Sequence, residues 1–129
     1  MDKLVERARA MREEAHAPYS QFRVGAVLKT SDGKIFTGCN IENRNYTNSM
    51  HAEQVAFAEA VKNGHDSFEA IAISTTKNSG SAPCGFCRQT MAEFCDDSFT
   101  ILVDEEGEVA EYTLGELLPH GMTRDEVRK

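Results

Sequence analysis

Phe99-Thr100-Ile101-Leu102-Val103-Asp104-Glu105-Glu106-Gly107-Glu108-Val109-Ala110-Glu111-Tyr112-Thr113 contains two β-type runs, one ending near Asp104 and the other spanning Glu108 to Thr113. Only Glu105-Glu106-Gly107 separates them. A parallel crossover needs roughly a dozen residues, so this connection predicts an antiparallel hairpin. Upstream, a helix is expected from about Cys84 to Phe94, after a Ser/Gly/Pro-containing loop over 77–83 and a β-rich run from Phe68 to Thr76. Before these, Ala52, Val55, Ala56, Ala58 and Val61 fill a helix that Gly64 can end in a left-handed cap. Asn40 to Ser49 is polar and reads as a loop. The runs 22–29 and 34–39 flank Ser31-Asp32-Gly33, a tight-turn signal, and predict two antiparallel strands. Leu4, Ala8, Met11 and Ala15 lie at helical spacing over residues 2–16, and Pro18 stops that helix. Alternating helices and strands predict an α/β fold with helices packed on a sheet.

The length of 129 residues fits a single domain over 1–129, and a 40% hydrophobic content is enough for a buried core. Fourteen Lys and Arg against 21 Asp and Glu leave a net charge of −7 with no compensating basic cluster. The phosphate-neutralising contribution to nucleic-acid affinity is therefore missing, which disfavours a polymeric nucleic-acid partner. The charged N-terminal stretch lacks the apolar region of a signal peptide, and no run approaches the length of a membrane span, so a cytoplasmic protein without membrane attachment is expected. In a reducing compartment, four cysteines are more readily metal ligands or redox groups than disulfides.

Pro83-Cys84-Gly85-Phe86-Cys87 places two sulfurs at i and i+3 near a helix start, where the helix dipole favours thiolate. Alone, this motif also fits a thiol redox pair or half of a structural zinc site. His51-Ala52-Glu53 lies 33 residues before Cys84 and adds an imidazole and a carboxylate. In a helix interior, residues i and i+2 diverge, so both can serve one site only if the motif straddles the helix end. Together the two motifs match the H-x-E and P-C-x-x-C pattern of zinc deaminases, in which His, Cys and Cys bind the metal and the Glu is not a ligand. Cys95 would sit about 16 Å further along the same helix than Cys84, too far for a shared ion. Cys39, just before the polar loop, stays open as a fourth ligand. Without one, the metal keeps a free position, as catalytic zinc requires.

Over nearly its whole length the sequence resembles the cytidine deaminase family in its small homotetrameric form. The resemblance is carried, in order, by Ala17-Pro18-Tyr19-Ser20-Gln21-Phe22-Arg23-Val24-Gly25-Ala26, Gly38-Cys39-Asn40-Ile41-Glu42-Asn43, His51-Ala52-Glu53, Pro83-Cys84-Gly85-Phe86-Cys87-Arg88-Gln89 and Gly115-Glu116-Leu117-Leu118-Pro119. It implies a three-layer α/β/α sandwich around a five-stranded mixed sheet whose last two strands are antiparallel. It also implies one Zn2+ per chain on His51, Cys84 and Cys87, with Glu53 as the catalytic proton carrier. Phe22, Asn40, Glu42 and Tyr46 would line a nucleoside pocket, Asn40 and Glu42 holding the ribose hydroxyls and the Ala52 backbone the base. A plainer reading makes Phe22 a core residue and gives Asn40 and Glu42 local turn bonds. The implied activity is hydrolytic deamination of cytidine and 2'-deoxycytidine in pyrimidine salvage, by a homotetramer whose sites neighbouring subunits complete.

The chain departs from that family at several positions. Most small members resemble one another in a cysteine where His51 stands and an arginine at the position of Gln54, so one thiolate and one compensating charge are lost together. Met122 occupies the place of an aromatic that stacks on a neighbour's substrate, and a thioether packs there more softly. Arg44 replaces a small residue in a loop that the family places near the 5' end of a neighbour's substrate. Other readings are a deaminase of a modified cytosine nucleoside such as blasticidin S, a nucleotide deaminase, or a noncatalytic zinc or thiol module.

Overall fold

The computed structural model describes residues 2–76, 82–105 and 108–121, apart from the side chains of Asp2, Tyr46 and Glu105. Its elements are α1 (Asp2–Met11), β1 (Val24–Thr30), β2 (Ile35–Cys39), α2 (Ala52–Lys62), β3 (Phe68–Thr75), α3 (Gly85–Phe94), β4 (Thr100–Glu105), β5 (Glu108–Thr113) and α4 (Leu114–Leu117). Short 3-10 turns cover Arg12–Glu14 and Tyr46–Asn48. The expected first helix is thus α-helical only to Met11, tightens into the first of these turns, and gives way to extended backbone at Ala15. Cys84 caps α3 from outside rather than opening it. No described helix is long and apolar enough to cross a membrane.

The five strands form one sheet in the order β2-β1-β3-β4-β5. β1 pairs antiparallel with β2 and β3, β3 runs parallel to β4, and β5 runs antiparallel to β4. The parallel pair is joined by the crossover that carries α3. Side chains alternate across the sheet with period two. Ala26, Leu28, Ile71, Ile73, Ile101 and Val103 face a core shared with Ala56 and Phe57 of α2 and Met91 of α3. Val27, Ala72 and Leu102 face the opposite way, onto Val5 and Ala8 of α1. The sheet is therefore the middle layer of an α/β/α sandwich. Burial on both faces explains why its inner strands read as nearly continuous apolar runs.

Two features fix the helices. The Arg9 guanidinium donates from both Nε and Nη2 to Asp104 at 2.7 and 2.8 Å, and Ser74 Oγ donates to the same carboxylate at 2.8 Å, which ties α1 to β3 and β4. On the other face, a Cβ at Gly38 would collide with the Ala52 carbonyl and the Ala56 N–H, so β2 and the first turn of α2 are in backbone contact. α2 ends where Gly64 takes φ +88, and the His65 N–H returns to the Ala60 carbonyl at 3.1 Å.

Candidate active site

Two helix N-termini converge at one end of the sheet. His51 is the N-cap of α2, with extended backbone at φ −80 and ψ 151, while Glu53 belongs to the first helical turn. The His-Ala-Glu motif therefore straddles the helix end, which lets residues i and i+2 serve one site. Cys84 is the N-cap of α3, and Cys87 lies buried in its first turn. His51 Nδ1 is 3.1 Å from Cys87 Sγ and 3.4 Å from Cys84 Sγ. All three ligand atoms lie within 4.8 Å of one another, and this trio is the metal-ligand cluster found among the described residues.

One imidazole and two sulfurs suit a borderline-soft ion such as zinc. Burial, then the Glu53 charge, pushes the Cys87 thiol upward, an obstacle that a divalent cation removes. Cys39 takes no part: its Sγ faces the Glu14 carbonyl at 3.5 Å. Cys95 is the C-cap of α3, at the far end of the helix from Cys84. Among the described residues the cluster thus offers three donors, one fewer than a closed tetrahedral zinc site uses.

Beside the cluster is a cavity of about 360 Å³, lined by Phe22, Asn40, Glu42, Ala52, Glu53 and Cys84 among others. Glu53 is only 6% exposed, and burial pushes its carboxyl above the usual carboxylate range. Ala52 is the first residue of α2, whose N–H has no acceptor within an α-helix. Asn40 Oδ1 accepts the Val24 N–H at 2.8 Å and its Nδ2 donates to the Phe22 carbonyl at 2.7 Å. Glu42 Oε1 accepts the N–H groups of Tyr19 and Ser20 at 3.0 and 3.1 Å, and Oε2 accepts the Ser20 hydroxyl. The Ser20 hydroxyl, then the two N–H donors, hold the Glu42 carboxyl below the usual carboxylate range. Both residues make the local turn bonds of the plainer reading and line the cavity as well. Asn40 still has a second amide hydrogen and a second lone pair for a ligand.

Ser20, Ser49, Met50, Ile73, Thr75 and Ala82 also line this cavity and were not expected to. For Ser20 a local signal exists, since a serine hydroxyl can bond the N–H two residues on. Tyr46 opens the second 3-10 turn, but its side chain is outside the described residues, as is all of Met122. Arg44 is exposed.

The family model for the cytidine and deoxycytidylate deaminase zinc-binding region matches residues 1–103. The chain belongs to the cytidine and deoxycytidylate deaminase family. It is 41% identical to a cytidine deaminase of Sporosarcina psychrophila over 98% of this chain and 94% of that one. A cytidine deaminase of Halalkalibacterium halodurans is 39% identical over 96% and 95% of the two chains. The crystal structure of a Burkholderia pseudomallei cytidine deaminase superposes with a TM-score of 0.89 at 41% identity, covering 94% of this chain and 98% of that one. With the zinc-binding family established and a single three-ligand cluster among the described residues, this member of the deaminase family is an enzyme whose cofactor is zinc, one ion per chain.

Proposed function

We propose that the protein hydrolyses cytidine and 2'-deoxycytidine to uridine and 2'-deoxyuridine, releasing ammonia. The observation that carries this reading is the buried Glu53 carboxyl in a nucleoside-sized cavity beside the His51, Cys84 and Cys87 cluster. His51, Cys84 and Cys87 would hold zinc, which supplies Lewis acidity and brings the ionisation of water close to neutral pH. Glu53 takes the proton from water as that water adds to C4 of cytosine, and passes it to N3. Glu53 then takes the proton of the hydroxyl left on C4 and gives it to the amino group, which leaves as ammonia while the ring keeps the oxygen as a carbonyl. A carboxyl whose proton affinity is raised by burial suits both steps.

Phe22 and the Ala52 backbone would hold the base, with Asn40 and Glu42 on the ribose and Tyr46 beside the pocket. An ionised Glu42 is an acceptor only, and so matches a hydroxyl donor. This reading includes one catalytic domain over 1–129, acting in pyrimidine salvage in the cytoplasm as a homotetramer. Supporting association, Tyr19, Met50 and Phe86 are exposed apolar side chains, and Met50 lines the cavity while the Phe86 ring meets His51 edge-on at 5.8 Å. Ultraviolet loss of the cytosine chromophore, followed side by side for cytidine, deoxycytidine, deoxycytidine monophosphate and blasticidin S, tests the substrate. Turnover of the two nucleosides is expected, and turnover of neither overturns the reading.

A further inference from the structure

Ser20, Phe22, Asn40 and Glu42 line the cavity from two stretches, 19–23 and 40–42, that belong neither to a regular helix nor to a full strand pairing, and side-chain bonds hold these stretches together. Ser20 occupies the junction. Its hydroxyl donates to Glu42 Oε2 and accepts the Phe22 N–H at 3.0 Å, so one oxygen links the carboxylate wall to the aromatic wall. Between Ser20 and Phe22, Gln21 sits at φ +60, the left-handed region that L side chains disfavour. The Gln21 N–H reaches the Ala17 carbonyl at 3.0 Å, so this uncommon conformation is held on both sides of the residue. A backbone outlier kept in place between two cavity-lining residues, Ser20 and Phe22, is a mark of preorganisation.

We propose that Ser20 is a positioning residue that sets nucleoside affinity by fixing Glu42 and Phe22 in their cavity-facing arrangement before substrate enters. The inference rests on the reading of Glu42 and Phe22 as nucleoside contacts. Ser20 takes no part in proton transfer, so its loss acts on substrate capture rather than on the chemical step. In Ser20→Ala the carboxylate loses its hydroxyl donor and the Phe22 N–H its acceptor, and ordering both walls becomes a cost of binding. Ser20→Thr keeps the hydroxyl.

Steady-state deamination of cytidine by zinc-loaded wild type, Ser20→Ala and Ser20→Thr is the test, with bound zinc and thermal midpoint measured on the same samples. The expected result is a KM raised roughly tenfold in Ser20→Ala with kcat within about twofold, and a KM returned to within about threefold of wild type in Ser20→Thr. Zinc content stays unchanged in both. An unchanged KM in Ser20→Ala, or a Ser20→Thr variant as impaired as the alanine one, overturns the role of Ser20 while leaving the substrate reading intact. A wild type inactive on cytidine overturns the substrate reading, and the Ser20 inference with it.

Discussion

The side-chain carbonyl of Gln54 accepts the His51 backbone N–H at 2.9 Å, so the third residue of α2 fixes the residue that caps it. This is the reciprocal half of a capping box, and here the capped residue also supplies the imidazole of the metal cluster. Gln54→Ala is expected to lower stability by about 1 kcal/mol, in the range of a lost cap. It should also speed zinc loss to a chromophoric chelator several-fold, because the backbone that aims His51 loosens. A chelation rate equal to wild type would separate Gln54 from the metal site.

The two sheet glycines give a matched comparison. A Cβ at Gly38 would meet the Ala52 carbonyl and the Ala56 N–H, whereas at Gly25 it would meet the Ala8 carbonyl and the Arg12 N–H. Gly38→Ala and Gly25→Ala should each cost about 1–3 kcal/mol of stability, the range for overpacking. Only Gly38→Ala moves the turn that carries His51 and Glu53. Its residual activity per folded, zinc-loaded protein should therefore fall well below that of Gly25→Ala, as measured by turnover after correction for folded fraction.

Asp104 makes a pH-dependent contribution on the face away from the cavity. The Arg9 hydrogen bond first, with help from Ser74, holds its carboxyl below the usual carboxylate range. A carboxyl depressed in the folded state stabilises above its unfolded pKa of about 4, and that stabilisation is lost as pH falls through the lower folded value. Asp104→Asn should thus lower the thermal midpoint at pH 7, and the gap from wild type should narrow steadily below pH 4. A gap that widens on acidification would contradict this sign.

Metal binding should release protons. The apo cluster offers two thiols, with Cys87 pushed up by burial, and zinc takes up thiolates. Titrating zinc into the apoprotein at pH 7 in dilute buffer with an indicator dye should release about two protons per chain. Release of fewer than about one proton per chain would contradict a ligand set that contains two cysteines.

Much of this architecture is legible in local sequence because local chemistry decides it. Only Glu106 and Gly107 separate β4 from β5, too few for a crossover, and Gly64 ends α2 in the left-handed conformation that glycine tolerates. Less legible is the buried face of α2. Of the apolar residues that fill this helix in the sequence, Ala52 and Ala56 are buried together with Glu53, Phe57 and Ala60, whereas Ala58 is exposed and Val61 is 42% exposed. Apolar residues surround this helix, so no stripe stands out, and its contact with Gly38 sets the rotation. α4 is not among the expected elements, although Thr113 and Glu116 form a capping box that marks its start. In the site, His51, Glu53, Cys84 and Cys87 are legible from type and spacing. The clasp that joins Ile41 to both His16 and Met50, and the link from Glu42 to Ser20, depend on long-range pairing that no local pattern encodes.

Glu53→Gln, which keeps the shape of the side chain and removes its capacity to carry a proton, is the most direct test of the chemistry. Zinc per chain and deamination of cytidine should be measured on one preparation. Zinc should stay near one per chain while turnover falls by at least roughly a hundredfold, the usual range for loss of a general acid and base. Turnover close to wild type, or zinc lost together with activity, would contradict Glu53 as the proton carrier beside a His51, Cys84 and Cys87 metal site.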